Sequence, residues 1–149
     1  MTMICYAHTL EGKPSCEWQT LENHLQGVAE EAARFSAVFG AQEWGRLAGL
    51  WHDLGKHSQE FQDYLKRNGD PSCSTRVDHS TAGAVHAVAS DPVLGHVLAY
   101  VVSGHHGGLL DGRAEDACLE KRLSKDIPSW ANASPDLLAG DLREGLPRI

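Results

Sequence analysis

The sequence predicts an all-α domain, on three observations. Apolar residues recur three and four positions apart through residues 20–39, 42–54 and 93–102, the spacing of an amphipathic helix. No stretch of useful length alternates apolar with polar residues, as a half-buried strand would. Gly40, Gly55, Asn68-Gly69-Asp70-Pro71 and Asp91-Pro92 punctuate the periodic stretches with turn and capping chemistry.

Residues 1–19, with Gly12 and Pro14, read as an irregular lead-in. The first helix spans 20–39 through Leu21, Leu25, Val28, Ala29, Ala32, Phe35, Val38 and Phe39, and stops at Gly40. The second spans 42–54 and ends at Gly55. Ser58 caps a third helix carrying Phe61, Tyr64 and Leu65. The chain breaks at 68–71 and stays a loop over 71–78. A fourth helix covers 80–90. Asp91 as N-cap with Pro92 in the first turn starts the fifth, which runs into Gly104-His105-His106-Gly107-Gly108. A sixth is expected over 114–124 and a short last one within 135–143.

The bulk properties narrow the function classes. A chain of 149 residues, 42% hydrophobic and 22% charged, suits one globular domain over residues 1–149. A formal charge of −7 and a pI near 5.6 argue against a broad basic surface gripping duplex DNA. They leave room for a nucleic-acid substrate, because bound divalent metals supply local positive charge. Cys5, Cys16, Cys73 and Cys118 are widely spaced and form no Cys-x-x-Cys pair, which fits a reducing cytoplasm. No signal peptide opens the chain. The longest strongly apolar run, 97–102, is too short to span a bilayer.

The nine histidines stand out. In His52-Asp53, imidazole and carboxylate together suit a first-row divalent ion. Neighbours on a helix point about 100° apart, so both reach one site only across an edge of the helix. Taken alone the pair reads as a surface dipeptide, and His24, beside Leu21 and Leu25, as a satisfied core residue. His79 likewise reads as a capping histidine before Ser80-Thr81-Ala82-Gly83-Ala84, whose small side chains admit a close neighbour, and His105-His106 as a polar loop. Together, the ordered set of His24, His52-Asp53 with Lys56, Asp78-His79-Ser80 and Gly104-His105-His106-Gly107 supplies five imidazoles and one carboxylate, enough for one or two transition-metal ions.

With Tyr6-Ala7-His8-Thr9, Leu21-Glu22-Asn23-His24, Leu50-Trp51-His52-Asp53-Leu54-Gly55-Lys56, Asp78-His79-Ser80 and Gly104-His105-His106-Gly107-Gly108, the chain resembles, over about residues 6–110, the HD nuclease domain of the CRISPR-associated nuclease-helicase of type I interference systems. The resemblance implies an HD-domain helical bundle with a metal site between helices, cutting single-stranded DNA. Its metal ligands are His24, His52, Asp53, His79, His105 and His106. Lys56 takes the position of an active-site cation, able to contact the scissile phosphate, and Asp53 bridges two ions or anchors the tighter one. Imidazole-rich ligation favours manganese, iron, cobalt or nickel over magnesium. The implied partners are a superfamily 2 type helicase, fused or in trans, and an RNA-guided surveillance complex, with no membrane. The family's site is completed by another aspartate on a later helix. None of Asp111, Asp116, Asp126, Asp136 and Asp141 has that context, so the chain is expected to be an N-terminal fragment or a C-terminally shortened relative.

Two rival readings use the same residues. One is an HD phosphohydrolase acting on nucleotides or cyclic dinucleotides; the other is a catalytically incomplete docking or regulatory module. Of the remaining histidines, His8 is read as structural, His57 as solvent-facing beside Ser58, His86 as a packing or hydrogen-bonding residue and His96 as a surface residue. Trp18, Trp44, Trp51 and Trp130 are read as core.

Overall fold

The computed structural model describes residues 3–67, 77–112, 114–115, 118–144 and 146. Its helices are α1 (Leu21–Ser36), α2 (Gln42–Trp51), α3 (Gln59–Lys66), α4 (Thr81–Ser90), α5 (Leu94–Gly104), α6 (Leu119–Leu123) and α7 (Pro135–Leu138), with 3-10 turns at Ser15–Glu17, Ala37–Phe39 and Leu54–His57. Two short strands, β1 (Tyr6–His8) and β2 (Gln19–Thr20), pair antiparallel with Tyr6 opposite Thr20. The all-α class holds. The hairpin lies in the expected irregular lead-in, where strands of two and three residues are too short to show a period.

Local chemistry starts and stops the helices where it should. The Thr20 hydroxyl accepts the Asn23 N–H at 3.4 Å at the head of α1, and Ser58 Oγ accepts the Phe61 N–H at 3.2 Å at the head of α3. The Asp91 carboxylate accepts the N–H groups of Val93 and Leu94 at 2.9 and 3.0 Å ahead of α5. Such caps satisfy donors that have no partner inside the helix.

Some bounds differ from expectation. The second helix stops at Trp51 rather than 54, and a 3-10 turn follows. The sixth is shorter than 114–124, because the Asp111 carboxylate accepts the Ala114 N–H at 2.9 Å and the Asp111 carbonyl accepts the Leu119 N–H at 3.1 Å. Cys118 caps α6. The last helix ends at Leu138, as Ala139 turns extended. The break expected at 68–71 and the loop over 71–76 lie outside the described residues.

The core is built by α1, α2, α4 and α5. Leu21, Leu25 and Ala29 of α1 meet Leu47, Leu50 and Trp51 of α2, Ala87 of α4, and Leu98 and Val102 of α5. Trp51 is fully buried, and its indole N–H donates to the Leu137 carbonyl at 3.0 Å, which ties the C-terminal segment to the centre. Full burial of each large apolar side chain contributes about 1.5–3 kcal/mol. Trp44 packs on the same core and Trp130 on a smaller cluster of Leu54, Ala82 and Ala133. Trp18 is half-buried, set edge-on against Tyr6. Gly83 lets α4 lie directly on the end of α2: a Cβ there would sit 1.8 Å from the Trp51 carbonyl oxygen. Among the described residues, no helix is long and apolar enough to cross a membrane.

Candidate metal centre

The end of α2 is what makes His52-Asp53 a site. His52 still donates its backbone N–H to the Ala48 carbonyl at 3.0 Å, whereas Asp53 leaves the helix with φ −111° and ψ 23°. The two side chains therefore escape the fixed helical angle between neighbours and converge. Gly55 keeps the next turn against the start of α4. Its N–H donates to the His79 carbonyl at 3.1 Å, and a Cβ at Gly55 would stand 2.6 Å from the His79 Cα. That contact brings His79 over Asp53. His24 arrives from α1 between the buried Leu21 and Leu25, and His105 and His106 follow Val102 at the end of α5.

All six residues come together. Oδ2 of Asp53 lies 3.2 Å from Nε2 of His24 and 3.2 Å from Nε2 of His52. Oδ1 lies 3.5 Å from Nε2 of His79 and 3.3 Å from Nε2 of His105. His79 and His106 bring their Nε2 atoms to 2.8 Å of each other, and His24 and His52 to 3.3 Å. The donor atoms sort into two groups that share Asp53: His24, His52 and Asp53, and Asp53, His79, His105 and His106, each group within 4.8 Å. Neither group includes Asp111, Asp126, Asp136 or Asp141, and Asp116 lies outside the described residues.

Hydrogen bonds on the far sides of the rings set their tautomers. Nδ1 of His52 donates to the Gly49 carbonyl at 2.7 Å, and Nδ1 of His105 donates to the Val102 carbonyl at 2.6 Å. Both acceptors lie in the last turn of a helix, where carbonyls have no intrahelical partner. With the proton on Nδ1, Nε2 presents a lone pair to the cluster, the arrangement that orients metal-ligating histidines. Nδ1 of His79 makes a longer bond of the same kind, 3.3 Å, to the Val77 carbonyl.

This donor set fits a divalent metal. Lone pairs of neutral imidazoles and a carboxylate face one another at 2.8–3.5 Å, an arrangement that a cation between them stabilises. Oδ1 of Asp53 is buried and has no hydrogen-bond partner among the described residues. Burial pushes the Asp53 carboxyl up, but the His105, His24 and His52 rings against its oxygens outweigh it and hold the carboxyl far below the usual carboxylate range. Burial also lowers both His79 and His106, so both stay neutral and available as ligands near pH 7.

Lys56 sits inside this structure rather than on its rim. Its ammonium is 2.8 Å from Oδ2 of Asp53 and donates to the Ala7 carbonyl at 3.2 Å. Gln62 fixes that carbonyl indirectly, by bonding both backbone groups of Tyr6 and the Lys56 carbonyl. The reading of His57 as solvent-facing is corrected. His57 is buried, neither ring nitrogen has a partner among the described residues, and burial pushes its pKa down to about 4. The 3-10 turn that replaces the end of the second helix points this side chain inward. His8 is exposed, with its ring edge-on to His24 at 5.0 Å between centroids. His86 packs edge-on against Trp51 and donates to the Leu138 carbonyl at 3.0 Å, and His96 is exposed. Sequence reasoning missed Arg122 of α6, which reaches back to Ser80, Thr81 and Ser103 around the site. No local signal marks it, since the bonds span 19 to 42 residues.

The family model described as "Cas3, HD domain" matches residues 4–142 of the chain. No curated protein matches it.

Proposed function

The chain belongs to the Cas3 HD-domain family, and on that premise we propose that it is a metal-dependent phosphodiesterase that cuts single-stranded DNA in type I CRISPR interference. The family supports a metal-dependent hydrolase with a nuclease role in CRISPR systems. The observation that carries the finer reading is Asp53, whose two oxygens face two separate sets of imidazole nitrogens.

In this reading His24, His52 and Asp53 would hold one divalent ion, and Asp53, His79, His105 and His106 would hold a second. Such ions, when bound, supply Lewis acidity at the phosphoryl oxygens and a water acidic enough to attack at neutral pH. Five imidazoles select manganese, iron, cobalt or nickel over magnesium. His52 and His105 keep their Nε2 lone pairs aimed inward through their bonds to Gly49 and Val102. Lys56 holds Asp53 in place. Its burial makes it a positioning residue for Asp53, in place of the phosphate contact that the sequence alone suggested. The strand is delivered by a superfamily 2 type helicase, fused or in trans, and the target is chosen by an RNA-guided surveillance complex.

The test is cleavage of labelled circular single-stranded DNA with manganese, nickel or cobalt, alongside Asp53→Asn and a chelator control. Cleavage that requires both metal and Asp53 is expected. Metal-supplemented, folded protein that leaves the circle intact, or Asp53→Asn protein that cuts at the wild-type rate, overturns the proposal.

A further inference from the structure

A cavity of about 490 Å³ adjoins the metal cluster, and His79 and His106 form one of its walls. That volume is within the range of small-molecule sites, about 300–1,000 Å³. Phe61 and Tyr64 of α3 form a second wall, and Asp78 and Arg122 stand in a third. Phe61 is buried, with its ring edge-on to His79 at 5.1 Å between centroids. Tyr64 is half-buried beside it at 5.9 Å.

The polar wall is held rigid. Arg122 donates from Nε to Thr81 Oγ1 at 3.1 Å, from Nη1 to the Ser103 carbonyl at 2.8 Å and from Nη2 to Ser80 Oγ at 3.2 Å. A guanidinium has five N–H groups, so one on each Nη has no partner among the described residues. The Asp78 carboxylate accepts the Thr81 N–H at 3.1 Å and the Thr81 hydroxyl at 2.7 Å, with Lys125 at 3.5 Å. Fixed donors and a fixed acceptor thus stand beside an aromatic wall, next to donor atoms that would hold metal.

We infer that this cavity is a nucleobase subsite, in which the base adjoining the reacting phosphate lies against Tyr64 and turns its edge to Arg122 and Asp78. The inference rests on the phosphodiesterase reading. An additional phosphate has only acceptors, and it would face the Asp78 carboxylate. An apolar group would leave the free guanidinium N–H groups and the carboxylate unpaired, at a desolvation cost. A base edge carries both donors and acceptors, and every base has a π-face for an aromatic ring. The same chemistry is presented by a base in a strand and by a free nucleotide.

The test is binding, measured by fluorescence anisotropy of the full chain in chelator, so that it does not depend on cleavage. The probes are a labelled single-stranded oligothymidylate and a labelled strand of equal length built of abasic sugars, with unlabelled thymidine monophosphate as competitor. Wild-type protein is expected to bind the base-bearing strand more tightly. Tyr64→Ala should cut that preference by about fivefold or more, in line with one lost base–aromatic contact, and Tyr64→Phe should restore it. Competition by the monophosphate at concentrations comparable to the strand identifies a free nucleotide as the source of the base; its absence identifies the strand. Equal binding of the two strands, or a full preference in Tyr64→Ala protein whose melting temperature is unchanged, overturns the inference. A Tyr64-dependent preference without any metal-dependent cleavage of the circle keeps the subsite and removes the nuclease reading.

Discussion

The ammonium of Lys56 lies 2.8 Å from Oδ2 of Asp53, with 5% and 4% of the two side chains exposed. A pair this deeply buried is strained by the removal of either partner, which leaves an uncompensated charge costing about 3–5 kcal/mol. Asp53→Ala is for that reason a poor diagnostic of chemistry. Asp53→Asn loses the same charge but keeps the volume and one oxygen that can accept from the Lys56 ammonium, and is the better variant.

Lys56→Met should destabilise the metal-free protein by about 3–5 kcal/mol. Manganese or nickel should restore a large part of the loss, because a bound cation replaces the charge beside Asp53. Urea denaturation of both proteins, with metal and with chelator, checks this. A Lys56→Met loss that metal leaves unchanged would separate Lys56 from the Asp53 site.

Metal should stabilise the wild-type fold, by about 2.7 kcal/mol at a hundredfold excess over the dissociation constant. Nickel, cobalt or manganese should act at lower concentration than magnesium, and Asp53→Asn should abolish most of the shift. Because His79 and His106 lie below the ordinary imidazole pKa, protons should compete with the metal at these two rings only below about pH 6.5. Calorimetric titration between pH 5 and 8 reads both effects, and magnesium acting as strongly as nickel would exclude an imidazole site.

His57 gives a pH dependence of stability whose sign follows from linkage. Its pKa falls from 6.5 to about 4 on folding, so between those values the unfolded chain binds more protons than the folded one. Stability is then complete above pH 6.5 and is lost as pH falls toward 4, by on the order of 3 kcal/mol for this residue. His57→Leu should be at least as stable at pH 7.5, since neither ring nitrogen of His57 has a partner to lose. Its advantage over wild type should widen toward pH 4. Parallel denaturation curves at every pH would show that the ring is solvated.

Gly83 and Gly27 form a matched pair. A Cβ at Gly83 collides with the Trp51 backbone, while one at Gly27 meets nothing within 4 Å. Gly83→Ala should cost more than ~2 kcal/mol, and Gly27→Ala should add about 0.5–1 kcal/mol by lowering the entropy of the unfolded chain. Thermal melting of the two variants distinguishes a packing constraint from a helix-propensity effect.

Several features were legible in the sequence because they are local. The apolar stripe through Leu21, Leu25 and Ala29, the caps at Ser58 and Asp91, and the placement of His24, His52-Asp53, His79 and His105-His106 near breaks in helical periodicity all follow from short-range rules. The chain's membership of the HD family could be read from the same motifs. The tertiary structure decided what depends on contacts far apart in the chain. Only packing shows that α2 ends at Trp51, freeing His52 and Asp53 to converge, because His79 presses on Gly55 and α4, through Gly83, lies against the Trp51 backbone. Packing alone turns His57 inward and sets Lys56 between Asp53 and the Ala7 carbonyl. It also carries Arg122 to Ser80 and Thr81, 42 and 41 residues away. Periodicity records which face of a helix is buried; it does not record which side chain from another element lies against that face.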